Sequence, residues 1–271
     1  MQLGVLKALF TDKLTKLYRL SEAENIFYMV LYYLEKKSKT AVLLGQETML
    51  GDTYVTLLQS LMDGKPVQYV LNEAPFYGLD LFVDETVLIP RPETEQLVHW
   101  ILEDHPNFQG SVVDIGTGSG CIPLVLKKHW PYAQVSGCDI STEALKVAQR
   151  NSKEQNLDVI FFQKNILTEE LEPYDIIVSN PPYIAHSEKD DMHENVLEYE
   201  PHIALFVDDT DPLLFYKTII LLAHQQKSTC YFETSEYYRP ELDNWLKEHN
   251  FSFVWQPDFQ DKDRLLKVTF D

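Results

Sequence analysis

Val112-Val113-Asp114-Ile115-Gly116-Thr117-Gly118-Ser119-Gly120 reads as an apolar strand, begun at Ser111, that runs into a glycine-rich turn. Glycines let such a turn take dihedrals closed to other residues and let a ligand reach the backbone. The helix expected to follow offers unpaired N–H groups at its start. A dinucleotide site uses those groups to hold a pyrophosphate. Here the spacing is G-x-G-x-G, not the G-x-G-x-x-G of the nicotinamide fingerprint. Asp114, at the strand end, would repel a pyrophosphate but suits a ligand carrying a cationic ammonium. Asp139 closes the next strand, 19 residues after Gly120. A carboxylate there can accept the hydroxyl protons of an adenosine ribose. Ammonium and adenosine together point to S-adenosylmethionine (SAM).

Outward from this loop, strands and helices alternate. Ile122 to His129 reads as helix and Gln134 to Cys138 as strand. Ser141 caps a helix running through Leu145 and Val147 toward Asn151. Val159–Phe162 and Ile176–Ser179 are short buried strands. Leu213–His224, Thr229–Phe232 and Pro240–His249 continue the alternation, and Phe251–Trp255 and Leu265–Phe270 form a final strand pair. Such a pattern predicts an α/β fold, a mostly parallel sheet with helices on both faces. Upstream, Thr94, Leu97, Val98 and Ile101 follow Pro90 and Pro92 as a helix. Phe76–Val83, with Gly78 and Asp80 inside it, reads as a hairpin or extended linker. Residues 1 to about 70 read as a helical bundle. Val5, Leu6, Leu9 and Phe10 recur at helical spacing, Ser21 and Glu24 look like a capping box, and Gly64-Lys65-Pro66 stops a helix ending near Met62. The expected organisation is residues 1–70 as a helical recognition domain, 71–86 as a hairpin linker, and 87–271 as the catalytic domain.

The chemistry-bearing stretch is Asp175-Ile176-Ile177-Val178-Ser179-Asn180-Pro181-Pro182-Tyr183. Pro181 keeps Asn180 out of helical dihedrals. The two prolines stiffen the turn and remove two backbone donors, which leaves carbonyls as acceptors. An NH₂ group on an sp² carbon needs two acceptors to orient it, and the Asn180 side-chain oxygen and the Pro181 carbonyl can supply them. Tyr183 can lay its ring on a planar amide or base. A delocalised nitrogen is a poor nucleophile, so fixing both of its protons and aiming its lone pair is the catalytic problem. Positioning contributes about 7–11 kcal/mol at best. No strong general base is required, because the proton becomes acidic once the nitrogen is alkylated.

The 271 residues carry a net charge of −19. Phosphate contacts dominate nucleic-acid affinity and leave a basic footprint. The acidic total therefore favours a protein or small-molecule partner and no direct nucleic acid. Cys121, Cys138 and Cys230 are widely spaced, with neither a disulfide nor a metal pattern, which suits a reducing cytoplasm. No apolar run approaches the ~20 residues needed to cross a bilayer, so no membrane association is expected. No export signal is visible at Met1-Gln2-Leu3. The acidic stretch from Ser187 to Glu200 (Glu188, Asp190, Asp191, Glu194, Glu198, Glu200) reads as a solvated face, with guidance of a basic substrate loop as the alternative. His193 beside Asp191 has no third ligand at sensible spacing, so no metal is expected.

Taken together these residues resemble the class I SAM-dependent methyltransferases with their Rossmann-like, seven-stranded sheet. Within them the chain is similar to the protein-(glutamine-N5) methyltransferases of peptide chain release factors. Pro66-Val67-Gln68-Tyr69 with Phe76-Tyr77-Gly78 looks like that family's linker. Val87-Leu88-Ile89-Pro90-Arg91-Pro92-Glu93-Thr94-Glu95 resembles its hallmark stretch, and Asp258 with Asp263-Arg264 its C-terminal loop and strand. The resemblance implies transfer of a methyl group from SAM, leaving S-adenosylhomocysteine, to the glutamine of a Gly-Gly-Gln loop on a release factor. It implies that Asn180, Pro181, Pro182 and Tyr183 hold that glutamine. Asp114, Gly116, Thr117, Gly118, Gly120, Asp139, Ile140, Asn165 and Asn180 would line the cofactor, and a monomer is expected. Two departures stand out. Asn165 occupies the place of an aspartate near the adenine, where its oxygen can still take the adenine amino group. Glu233-Thr234-Ser235 replaces Glu-x-Gly. The rival readings are a glutamine methyltransferase of a ribosomal protein, a DNA adenine-N6 methyltransferase, whose planar NH₂ presents the same problem, and a non-catalytic SAM-binding protein.

Overall fold

The computed structural model describes residues 1–270; the side chains of Asp190 and Asp191 lie outside the described residues. The chain divides into two compact units, Met1–Glu73 and from Ala74 onward. The first holds α1 (Leu3–Leu14), α2 (Leu20–Glu35), α3 (Lys39–Leu43), α4 (Gly51–Met62) and α5 (Val67–Leu71). Leu6, Phe10, Phe27, Tyr54 and Leu61 are wholly buried in its centre. The Phe10 and Phe27 rings meet edge-on at 5.3 Å, a favoured aromatic geometry. The periodicity is offset from the expected one: α1 buries Leu3, Leu6, Phe10 and Leu14 and leaves Val5 exposed. The Ser21–Glu24 capping box does not form. Because α2 starts at Leu20, Ser21 falls inside the first turn, and Glu24 is drawn to Lys7 on α1 at 2.8 Å. The expected stop after Met62 is real, with Gly64 at φ 89° donating its N–H to the Leu61 carbonyl.

The second unit opens with an antiparallel hairpin, β1 (Ala74–Phe76) and β2 (Leu79–Leu81). Its two-residue turn puts Tyr77 at φ 45° and Gly78 at φ 75°, the left-handed pair that matches strand twist. There follow α6 (Pro92–Asp104), β3 (Ser111–Ile115), α7 (Cys121–His129), β4 (Gln134–Asp139), α8 (Thr142–Gln155), β5 (Ile160–Gln163) and β6 (Ile176–Ser179). An insertion of short elements, β7 (Ile184–Ala185), α9 (Glu194–Tyr199), α10 (His202–Leu205) and β8 (Phe206–Val207), precedes α11 (Leu214–Gln226). The chain ends with β9 (Thr229–Glu233), α12 (Arg239–Glu248), β10 (Ser252–Pro257) and β11 (Asp263–Thr269).

Seven strands form one sheet in the order β10-β11-β9-β6-β3-β4-β5. Every pairing is parallel except those of β11, which runs antiparallel to β9 and β10. Side chains alternate across the sheet, so β3 and β6 feed two cores. Val112 and Val178 pack with Leu97 and Ile101 of α6 and Leu124 and Val125 of α7. Val113 and Ile177 pack with Ile219 and Ile220 of α11 and Leu242 and Leu246 of α12. Burial on both faces is why these strands read as mostly apolar runs, broken in β3 only by Asp114. The chain winds from β3 through β4 to β5 on one side, and from β6 through β9 on the other. The order reverses between β3 and β6, and a crevice opens at the carboxyl ends of strands at such a point.

Candidate functional site

The glycine turn closes β3 and the Asn-Pro-Pro-Tyr turn closes β6, so topology puts both at the rim of that crevice. The Ser179 hydroxyl donates to the Ile115 carbonyl at 2.7 Å and ties the two strand ends together. The cleft between them is lined by Gly116, Gly118, Asp139, Ile140, Asn165 and Asn180 among others, with Pro181 and Pro182 at its acceptor end. Gly116 (φ 76°) and Gly118 (φ 51°) take the left-handed conformation, and a Cβ at either would meet nothing within 4 Å. Their backbone is therefore open to a ligand. Gly120 serves another purpose. It lies behind the loop, where a Cβ would stand 3.1 Å from Phe161 and 3.2 Å from Ala148.

Asp114 and Thr117 also sit behind the cleft wall. Asp114 is 1% exposed, and neither carboxylate oxygen has a hydrogen-bond partner among the described residues; nor has the buried Thr117 hydroxyl. Burial, with the nearby charge of Asp139, pushes the Asp114 carboxyl up to about 7 against the opposing pull of the adjacent Thr117 hydroxyl, which lies close but makes no well-formed hydrogen bond to it. An unpaired carboxylate in the interior is costly, and a cation bound in front of it would stabilise the ionised form. Asp139 is half-buried and already engaged: Oδ2 accepts the Gly118 N–H and Oδ1 the Ser141 N–H, each at 2.9 Å. Burial raises its carboxyl above the usual range, while these N–H groups pull it down. Each oxygen keeps a lone pair for a hydroxyl. Ser141 caps α8 as its sequence predicts, its Oγ accepting from the Ala144 N–H at 3.2 Å.

Asn165 lines the cleft, with one constraint on its side chain. Its Oδ1 accepts the Leu167 N–H at 3.1 Å in a side-chain turn. The oxygen expected to face an adenine amino group is thus partly used, and an aspartate would close the same turn. Ile140, 45% exposed, offers an apolar wall beside it.

At the acceptor end Asn180 is half-buried, and its Nδ2 donates to Thr94 Oγ1 at 3.2 Å. The Thr94 hydroxyl in turn donates to Glu233 Oε2 at 2.6 Å. Tyr183 turns its ring toward the core below β9 and α11, half-buried, instead of standing free in the cleft. Burial and the charge of Glu233 raise its phenol. Ser235, in place of the expected glycine, sits at φ −79°, ψ 132° and accepts the Tyr237 N–H. That conformation is open to any residue, so this departure costs no strain.

The hallmark stretch is anchored to the insertion. Arg91 reaches Glu200 at 2.5 Å, and Glu200, 2% exposed, also accepts the Ile89 N–H at 3.3 Å. Glu188 accepts the Ala185 N–H and the Tyr238 hydroxyl. Two carboxylates of the acidic stretch are therefore structural, and the reading of a solvated face does not extend to them. His193 caps α9 through the Asn195 N–H. The expectation about Asp190 and Asp191 lies outside the described residues. Among the described residues no group of three His, Cys, Asp or Glu is placed to hold a metal, and no helix is long and apolar enough to cross a membrane.

Thr94 and Glu233, read from the sequence only within the hallmark stretch and the Glu-x-Gly departure, and Gly137, not singled out there, all contact residues of the site. Thr94 accepts from Asn180 across 86 positions of the chain, and Glu233 accepts from Thr94 across 139. Gly137 lets Thr117 approach β4: a Cβ there would lie 2.7 Å from Thr117 Oγ1. The hallmark stretch and the Glu-x-Gly segment marked Thr94 and Glu233, but nothing local showed that the two meet.

The methyltransferase small domain family matches residues 93–202. A protein of Flavobacterium psychrophilum named release factor glutamine methyltransferase is 41% identical over 96% of both chains. One of the same name from Bacteroides thetaiotaomicron is 40% identical over 76% of both. Among solved structures, the hMettl16 catalytic domain in complex with a MAT2A 3′UTR hairpin superposes with a TM-score of 0.58 at 17% identity, over 84% of this chain and 85% of that one. That likeness concerns the fold alone.

Proposed function

The chain belongs to the release factor glutamine methyltransferases, and on that premise we propose that it methylates the side-chain amide nitrogen of a glutamine in a peptide chain release factor, with SAM as donor. The observation that carries the reading is Asn180-Pro181-Pro182-Tyr183 at the end of β6, across the crevice from an open glycine turn. The residues fit SAM: an unpaired buried carboxylate at Asp114 for the ammonium, exposed backbone at Gly116 and Gly118, and Asp139 for the ribose hydroxyls. Ile140 and the Asn165 turn would take the adenine. Bound there, SAM supplies a methyl group on a positively charged sulfur, an electrophile that needs no further activation.

The chain's own task is to make a poor nucleophile reactive. Asn180 Oδ1 and the Pro181 carbonyl would accept the two amide protons of the glutamine and hold its plane. Fixing both protons restricts the nitrogen to one approach and favours its pyramidal form. The proton lost after methylation is acidic enough to leave to water, so no buried base is needed. The second unit supplies all the lining of the cleft, which leaves the helical unit Met1–Glu73 to recognise the protein partner. A net charge of −19 suits a basic loop better than a phosphate backbone. Incubation with methyl-labelled SAM tests the proposal. Label is expected on purified release factor and absent when Asn180→Ala replaces the native protein. Label on DNA and none on release factor would overturn it.

A further inference from the structure

A carboxamide has two ends, one accepting and one donating. Asn180 can orient an acceptor NH₂ only if its oxygen, and not its nitrogen, faces the cleft. The end it presents is set by its neighbours. The Thr94 hydroxyl owns one proton and spends it on Glu233 Oε2 at 2.6 Å. Only lone pairs then remain toward Asn180, and those can receive only its Nδ2, as they do at 3.2 Å. With Nδ2 fixed on Thr94, Oδ1 is the end left for the cleft that Asn180 lines. Thr94 and Glu233 are 3% and 2% exposed, so water does not compete for either bond.

We propose that Glu233 and Thr94 are positioning residues that fix the amide orientation of Asn180, and through it select an acceptor bringing two N–H donors. This rests on the reading that Asn180 accepts from the substrate amide. The relay needs Glu233 ionised. Protonated, Glu233 can donate to Thr94, freeing the Thr94 proton for Asn180 Oδ1; the amide then turns its NH₂ to the cleft and repels the substrate. Several groups face Glu233. Glu93, Arg91 and Thr94 come from α6 and its start, Arg264 from β11, Tyr183 from the turn after β6, and Cys121 from α7. Tyr216 of α11 donates to its backbone carbonyl. Burial dominates and pushes the Glu233 carboxyl up to about 7. Glu93 pushes the same way, while the Thr94 bond, Arg264 and Arg91 oppose.

The test measures steady-state methylation of purified release factor at saturating SAM, with SAM affinity by calorimetry and pH profiles of kcat/KM. Thr94→Val is expected to lower kcat/KM at least tenfold with SAM affinity changed less than twofold, and Thr94→Ser to restore most of it. The native profile is expected to fall on the acid side of neutrality, and Glu233→Gln to abolish that limb. A Thr94→Val protein as active as native, or an acid limb that survives Glu233→Gln, would overturn the relay. If Thr94→Val does not fold, the Glu233→Gln profile decides alone. Asn180→Ala runs beside them: if it stays active, the reading of Asn180 fails; if it is inactive while both relay variants match native protein, only the relay fails.

Discussion

If Asp114 faces the ammonium of SAM, cofactor binding must be linked to protons. Burial and the neighbouring Asp139 charge lift the Asp114 carboxyl to about 7, so well below neutrality the free protein holds it protonated. A bound cation selects the ionised form, and binding then expels a proton. Affinity is expected to fall roughly tenfold, or about 1.4 kcal/mol, for each pH unit below that value and to level off above it. Asp114→Asn cannot ionise. Its affinity is expected to be flat with pH and weaker than native above neutrality by the worth of one charged contact, about 1.5–3 kcal/mol. The two proteins converge as the pH falls. The same shift sets a stability trend in the unliganded protein. A carboxyl raised on folding contributes stability that is whole below its unfolded value of about 3.9 and is lost as pH rises through its folded value. Native protein should therefore lose ground to Asp114→Asn across neutrality when no ligand is present. The assay is calorimetry of SAM binding from about pH 5.5 to 8 in two buffers of different ionisation enthalpy, which counts the protons released. A flat affinity in native protein, or the same slope in Asp114→Asn, would refute the reasoning.

Asp139→Ala removes a carboxylate that braces Gly118 and Ser141 and lines the cleft; at about 1.5–3 kcal/mol for each of two ribose bonds, SAM should bind a hundredfold or more weakly by calorimetry, in a protein whose circular dichroism is native. Arg91→Ala strands a carboxylate that is 2% exposed, so thermal denaturation is expected to show a loss of about 3–5 kcal/mol, partly recovered in the Arg91→Ala/Glu200→Gln double variant. Gly137→Ala forces a Cβ to within 2.7 Å of Thr117 Oγ1 and 2.9 Å of Phe161, and urea unfolding should record about 1–3 kcal/mol of destabilisation from overpacking.

Much of the catalytic unit was legible because its rules are local. A buried strand, a turn and a cap each occupy a few consecutive residues, so Val112–Gly120, Ser141 and Ile176–Tyr183 declare their elements directly. The alternation of those elements then fixes a parallel sheet and the crevice at its switch point. What stayed hidden depends on contacts between distant residues. Nothing near Ser21 reveals that Lys7 claims Glu24, or that the helix starts early enough to swallow the cap. Gly116 and Gly120 look alike in sequence, yet one opens to the cleft and the other to Phe161 and Ala148. The Thr94–Glu233 bond spans 139 positions, and only the packing of α6 against β9 brings its ends together. Glu200 looks like its acidic neighbours until Arg91 is placed over it.

The central claim is that Asn180 and Pro181 present a protein glutamine amide to the methyl donor, and it is tested most directly by locating the methyl group. Purified release factor is incubated with SAM and native protein, digested, and analysed by tandem mass spectrometry beside an Asn180→Ala control. The account requires one added methyl on the glutamine of the Gly-Gly-Gln loop, on its side-chain nitrogen, and none with the variant. A methyl on another residue, or on DNA adenine with that glutamine unmodified, would contradict it.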